Sequence, residues 1–361
     1  MVEWKKLGDL LDYEQPTSYL VNSTEYDESY DVPVLTAGQS LLLGYTNETE
    51  GIYQASKTNP TIIFDDFTTS FHWIDYKFKV KSSAMKMLRP KKDVNFRYVY
   101  YAMLGINFVP GGHQRHWISK YSNLEIPIPS LSEQSRIVSI LDTFTSSISN
   151  LKQQIEERRK QYEYERDLLL DLEGKEGVEM KKLGEVGDIC MCKRIMKDQT
   201  SEKGDIPFFK IGTFGGKADA YISRELFEDY KEKYSYPRKG EILISAAGTI
   251  GRTVVFNGED AYFQDSNIVW ISNNEQLVLN TFLRYLYGVI DWKIDGGTIK
   301  RLYNYNLKNA TIYVPTLQAQ SRIVSILDTF EQSIANLEEQ LAMREKQYEY
   351  YREKLLRFEE A

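Results

Sequence analysis

Residues able to do chemistry are thinly spread along these 361 residues. The three histidines are His72, His113 and His116. The last two sit in "HQRH", where two imidazoles could begin a metal site, but no matching set of cysteines or carboxylates completes a zinc-type ligand group. Asp65, Asp66, Asp75 and Lys77, in "FDDF…DYK", faintly resemble the acid-plus-lysine pattern of metal-dependent nucleases. A charged strand edge accounts for them more simply. No GxxxxGK[ST] phosphate loop and no GxGxxG is present, and the glycines of "AAGTIGRT" are spaced for a hairpin turn. No Ser/His/Asp order stands out. An amino-methyltransferase signature of the Asn/Asp-Pro-Pro-aromatic type is also missing, and "NPT" at 59–61 is not one. The pattern predicts no catalytic residue and no metal.

What remains are polar and aromatic turn residues with scattered cations. In the first half these are Thr36, Gly38, Gln39, Tyr45, Lys57, His113, Gln114 and Arg115. In the second they are Thr213, Ser245, Thr249, Arg252, Gln264, Lys300 and Arg301. Arg, Gln and Asn can make paired hydrogen bonds to guanine or adenine edges in the major groove, and Lys or Arg near a glycine turn can position a phosphate. For each residue alone, an ordinary solvated loop is the competing reading.

The elements that would position these residues come in two copies. "QSRIVSILDTF" occurs at 134–144 and again at 320–330, and from Gln134 to Tyr164 22 of 31 positions match their partners 186 residues on. Leu141, Phe144, Ile148, Leu151, Ile155, Arg158 and Tyr162 alternate by three and four residues. So do Leu327, Phe330, Ile334, Leu337, Leu341, Arg344 and Tyr348. That is the a/d seam of a coiled coil, and the simplest partner for one copy is the other. A helix of about 38 residues extends about 57 Å at about 1.5 Å per residue. Ser132 in "PSLSEQ" is the expected N-cap, with Glu133 and Ser135 in the first turn. Arg158 and Arg344 occupy seam positions, where a charged residue fixes one pairing unless it snorkels to solvent.

A fainter repeat frames the segments between the helices. "WKKLGDL" at 4–10 resembles "MKKLGEV" at 180–186, and Gly111–Gly112 resembles Gly296–Gly297. Each half then passes a proline-marked strand, "LEIPIP" or "ATIYVP", into its long helix. Both segments read as α+β. "PTIIFDDF", "HWIDYKFKV", "EILISAAGTIGRTVVF" and "AYFQDSNIVWI" have strand character, and "NFRYVYYAML" and "LVLNTFLRYLYGVI" helical spacing. A shared frame with divergent content suggests one scaffold carrying two readouts.

Bulk properties narrow the class. Hydrophobic residues make up 42% of the chain, so a core can be buried. The net charge of −7 argues against a simple nucleic-acid binder. Its distribution is uneven: residues 1–130 carry −2, 131–177 −3, 178–315 +1 and 316–361 −3, so the acid concentrates in the repeated helices. Two nearby cysteines, Cys190 and Cys192, give no disulfide framework. The beginning lacks a signal-peptide apolar run, and no stretch of 18 apolar residues occurs, so a cytoplasmic protein with no membrane span is expected.

The composite "GGHQRHWISKYSNLEIPIPSLSEQSRIVSILD" and its second copy "GGTIKRLYNYNLKNATIYVPTLQAQSRIVSILD" closely resemble the junctions of type I restriction–modification specificity (S) subunits. The likeness covers essentially the whole chain. It departs in "TLQAQ", which lacks the usual acidic residue, and at His116, where lysine is common. The resemblance implies an α+β chain in which two globular target recognition domains, 1–130 and 178–315, alternate with two long helices, 131–173 and 316–358, that pair as an antiparallel coiled coil. It implies that each domain reads one half of a bipartite asymmetric site in double-stranded DNA, the coiled coil setting the gap between the halves. Two modification (methyltransferase) subunits would dock on this frame and restriction subunits would join them. S-adenosylmethionine, ATP and Mg would lie on those partner subunits, with no cofactor in this chain and no catalysis by it. Two readings from the residues stay open beside this one, a coiled-coil interaction scaffold with no DNA role, and an enzyme, either a nuclease or a self-contained methyltransferase, which would need a cofactor or metal site that the sequence does not show.

Overall fold

The computed structural model describes residues 2–36, 38, 40–91, 94–112, 114–294 and 300–358. They form two compact units, 1–153 with 339–361, and 154–338. The chain crosses between them twice, each time in the middle of a long helix.

In the first unit β1 (Glu3–Lys6) pairs antiparallel with β9 (Glu125–Ile128). A four-stranded antiparallel sheet joins β2 (Leu11–Glu14), β8 (Met85–Pro90), β5 (Thr61–Asp65) and β6 (Phe71–Ile74) in that order. A smaller sheet places β3 (Val32–Leu35) between β4 (Leu42–Thr46) and a parallel β7 (Lys79–Val80).

The second unit repeats this strand for strand. β10 (Glu179–Lys182) pairs with β18 (Thr311–Val314). The larger sheet runs β11 (Gly187–Cys190), β17 (Ile268–Asn273), β14 (Ile242–Ser245), β15 (Thr253–Val255). The smaller sheet places β12 (Ile206–Phe209) between β13 (Tyr221–Ile222) and a parallel β16 (Tyr262–Phe263). The shared frame expected from "KKLG" and the proline-marked strands is thus one topology built twice. β5 and β14 are the apolar runs TIIFD and ILIS, buried throughout except for Asp65, as central strands covered on both faces must be.

Two sequence expectations are corrected. "HWIDYKFKV" and "AYFQDSNIVWI" are not single strands. Each breaks into a piece in either sheet, β6 then β7, and β16 then β17. In the second the break falls at Gln264–Asn267, where Ser266 has φ +59°, a left-handed conformation that ends a strand. The Gly296–Gly297 turn lies outside the described residues.

The long helices span Leu131–Leu170 and Leu317–Leu356, 40 residues each. Their N-caps are Ser130 and Thr316, whose hydroxyls accept the N–H of Glu133 and of Ala319, both at 3.3 Å. Ser132, the expected cap, is already helical. The cap falls two residues earlier because it directly follows Pro129 or Pro315, which end the extended entry, and in the first copy Ser130 and Glu133 have the capping-box spacing. The helices run antiparallel within each unit. In the first, Phe144 stacks on Tyr351 (5.3 Å, 26°) and Lys152 bridges to Glu345 (2.9 Å). In the second, Arg159 bridges to Glu338 (2.5 Å) and the Tyr162 hydroxyl donates to Glu331 (3.1 Å). The chain is α+β, two globular domains alternating with two long antiparallel-paired helices. Among the described residues no helix is long and apolar enough to cross a membrane.

Candidate nucleic-acid interface

The stretch "AAGTIGRT" forms the tip of the β14–β15 hairpin. Ser245 is 1% exposed, and its hydroxyl donates to Thr249 O (2.5 Å) and accepts the Arg252 N–H (2.9 Å). It therefore holds the turn closed, while Thr249 and Arg252 are exposed on it. Gly248 and Gly251 take φ of +65° and +83°, conformations that favour glycine. The Leu302 N–H donates to Ala246 O (2.9 Å), and Arg301 bridges to Ala247, so the 300–302 segment lies along the hairpin.

The neighbouring loops are tied in as well. Gln264 Oε1 accepts the Ile211 N–H (2.9 Å), and the Arg301 guanidinium donates to Ser266 O (2.7 Å) and Asn267 Oδ1 (3.2 Å). Thr213 Oγ1 accepts the Lys210 N–H (3.1 Å) within its own turn. The structure thus brings Thr213, Ser245, Thr249, Arg252, Gln264 and Arg301 onto converging loops, with Lys300 exposed beside them. Gln264 and Arg301 line a cleft of about 500 Å³ together with Arg194, Lys197, Lys210 and Asn267. The last four were not singled out from the sequence. The cationic run "CKRIMKD" was the available signal, but a loop cation gains meaning only from where its loop folds. Arg194 pairs with Asp265 (2.9 Å) and Lys210 with Asp219 (2.8 Å), which trims the positive field of the cleft.

The first domain gathers its candidates less tightly. Thr36 and Gly38 lie in the β3–β4 turn, where Thr36 Oγ1 donates to Ser40 O (2.6 Å) and His72 Nε2 sits 3.1 Å from Gly38 O. Tyr45 lies on β4, opposite Pro33. Lys57 is exposed in the 56–59 turn that precedes β5. Gln114 and Arg115 are exposed just before His116, whose N–H donates to Asp66 O (2.8 Å), immediately past the other end of β5. Lys57 and Arg115 therefore belong to opposite ends of a strand about 17 Å long, at about 3.4 Å per residue. Gln39 and His113 lie outside the described residues.

The aspartates of "FDDF" divide between two roles. Asp65 Oδ1 accepts the N–H groups of Phe67 and Thr68 (2.8 Å each) and shapes the β5–β6 turn. Asp66 is not on a solvated strand edge, as the sequence suggested. It is 1% exposed, lies 3.0 Å from the fully buried Lys86 ammonium, and accepts the Trp117 N–H (2.8 Å). Among the described residues no group of three His, Cys, Asp or Glu side chains could hold a metal ion.

The domains meet the long helices through one repeated arrangement. Gln134 Oε1 accepts the Asn95 N–H (3.0 Å) and its Nε2 donates to Pro129 O (2.8 Å). Gln320 Oε1 accepts the Leu279 N–H (2.9 Å) and its Nε2 donates to Pro315 O (2.8 Å) and Leu277 O (2.9 Å). Asn95 and Leu279 are the N-caps of the helices Phe96–Leu104 and Asn280–Tyr287, so each buried glutamine pins the start of a domain helix to the start of a long one. Further along, Tyr101 and Tyr285 each donate to the aspartate at matching positions, Asp142 and Asp328 (2.5 Å each). Burial foremost, and then these carboxylates, push both hydroxyls upward, so each stays a neutral donor. Arg97 pairs with Asp142 (2.8 Å) and Arg284 with Glu331 (2.7 Å).

The expected seam residues lie along the same faces. Leu141, Ile155 and Leu327 are buried, and Phe144, Ile148, Leu151, Phe330, Ile334, Leu337 and Leu341 half-buried. Arg158 stacks over Phe330 and Arg344 over Phe144, both at 5.7 Å. Gln134 and Gln320 were missed. The signal for them was identity across the repeat at positions outside the apolar stripe.

The model of the type I restriction modification DNA specificity domain matches residues 1–158 and again 175–343. The chain belongs to the family of type I restriction–modification specificity subunits. A protein of Haemophilus influenzae named as a type I restriction enzyme specificity subunit is 45% identical, the match covering 99% of this chain and 96% of that one. A type I specificity subunit of Escherichia coli is 39% identical over 99% of this chain and 94% of its own. Among solved structures, the type I S subunit from M. genitalium has the same fold, with a TM-score of 0.66 at 16% identity and coverage of 100% and 97%. A chain from a structure of type I R-M complex assembly gives 0.57 at 18% identity, covering 99% and 97%. This specificity subunit therefore carries two copies of the family domain, one in each half.

Proposed function

We propose that this specificity subunit supplies DNA recognition to a type I restriction–modification complex. Each domain reads one half of a bipartite, asymmetric site in double-stranded DNA, and the paired helices set the gap. Two modification subunits dock on the helices and domains, and restriction subunits join them. S-adenosylmethionine, ATP and Mg belong to those partners, and this chain catalyses nothing. The observation that carries the reading is a single topology, built twice, whose helix junctions match while its loops differ. Gln134 and Gln320 make the same bonds, whereas the equivalent hairpin turns read Asp66-Phe67-Thr68-Thr69-Ser70 and Ala246-Ala247-Gly248-Thr249-Ile250-Gly251-Arg252. Similar docking frames suit similar partners, and dissimilar loops suit dissimilar half-sites.

The test is to co-express the chain with its modification subunit in a methylation-free host and map modified adenines genome-wide. One split motif with unrelated halves is expected. A stable complex that modifies nothing would refute the reading. Removing four residues between Ile148 and Tyr162 tests the spacer: the gap should change and both half-sites stay.

A further inference from the structure

We propose that Arg252 is the guanine-reading residue of the second recognition domain, an assignment that rests on the function proposed above. Arg252 stands at the base of the β14–β15 turn, opposite Ser245 and directly before β15; it is exposed, and among the described residues its guanidinium has no hydrogen-bond or ion-pair partner. Its backbone is fixed, because its N–H is held by the Ser245 hydroxyl (2.9 Å) and its C=O accepts the Ser245 N–H (2.9 Å). Its side chain runs beside Gly215, at φ +74°. A Cβ there would lie 3.5 Å from Arg252 Nε, 3.7 Å from Cζ and 3.1 Å from a Val254 methyl. The guanidinium thus lies alongside the 210–216 turn with its donors unoccupied.

That state sets Arg252 apart from its neighbours. Arg301 and Arg194 already donate to protein acceptors, and Lys210 is ion-paired. Gln264 already uses its carbonyl to hold the Ile211 N–H, which ties its amide into the fold. Lys197 and Lys300 are point charges, suited to phosphate. A planar fork with all its donors free, on a hairpin locked in shape, matches the two acceptors O6 and N7 of guanine. The equivalent turn of the first domain, residues 66–70, contains no cation, so guanine reading from this position is expected in one half-site only.

The experiment uses the full chain, with R252A and R252K, each co-expressed with the modification subunit, and reads the methylated motif genome-wide. The wild-type motif should contain a fixed guanine in one half. Both variants should relax that position, the preference for guanine falling roughly ten- to a hundredfold, with the other half unchanged. R252K keeps the charge and loses the fork, so it separates base reading from phosphate contact. A guanine that stays fixed in both variants overturns the assignment. So does a uniform loss in R252A that R252K restores in full. A wild-type chain that directs no modification would instead count against the functional reading itself.

Discussion

Arg159 and Glu345 hold equivalent places 186 residues apart in the repeat and carry opposite charges. Lys152 and Glu338 are related in the same way. The cross-helix bridges Lys152–Glu345 and Arg159–Glu338 therefore both take their cation from the first long helix and their acid from the second. Two first helices from separate chains would set Lys152 against Arg159, and two second helices would set Glu338 against Glu345. The pattern selects the pairing of unlike helices by repelling like ones.

Reversing both cations, K152E with R159E, should cost about 1–2 kcal/mol, since each exposed bridge contributes only about 0.2–1 kcal/mol and becomes a repulsion. Adding E338K and E345K should restore the original stability. Denaturation midpoints of the three chains decide this, and a quadruple variant no more stable than the double one refutes it.

Gln134 should matter more than its single side chain suggests. Q134L leaves the Asn95 N–H and Pro129 O without partners in a buried place, a loss of about 1–3 kcal/mol. Q320L should cost at least as much, because Gln320 also bonds Leu277 O. Urea unfolding with hydrogen exchange at Asn95 and Leu279 would show whether each loss opens the junction in its own unit.

The buried Lys86–Asp66 pair should show strong non-additivity. K86M strands the Asp66 carboxylate and should destabilise the first unit by about 3–5 kcal/mol. K86M with D66N keeps an acceptor for the Trp117 N–H and removes the charge, so the double variant should be more stable than K86M alone. Equal or lower stability of the double variant would show that the charge is not what matters.

Acid should weaken the first unit through Glu48. Partial burial alone would raise this carboxyl, but Lys79, the Ser23 and Asn22 N–H groups and the lysine charge outweigh it and hold the pKa at about 2, against an ordinary 4.5. Since the folded value is depressed, the stabilisation is fully present above about pH 4.5 and drains away as pH falls towards 2. E48Q should be less stable than wild type at pH 7, and the difference should shrink by pH 3. A difference independent of pH would exclude this linkage.

The long helices were legible because 22 of 31 matched positions and a three-four apolar spacing record one packing face. The glycine hairpin of "AAGTIGRT" was legible for a related reason: backbone conformation constrains residue type locally. Ser245 shows where such reading stops. Its type suits a DNA contact, yet the fold turns its hydroxyl inward to hold Thr249 and Arg252. Asp66 looked like a surface charge because its partner, Lys86, is 20 residues away on another strand. The cleft of Arg194, Lys210 and Arg301 is built from loops up to about 100 residues apart, whose meeting is set by β12, β16 and β17 and not by any local pattern.

The division of the long helices between the units has a consequence for how the protein is made. Residues 154–338 are one uninterrupted stretch, so the second unit has all its parts as soon as that stretch leaves the ribosome. The first does not, because its apolar centre takes in Tyr348, Leu355, Leu356 and Phe358. The domain translated first is thus the one completed last. Until those side chains arrive, part of its apolar surface stays open to water, and a message broken after codon 338 would yield a finished second reader beside an unfinished first.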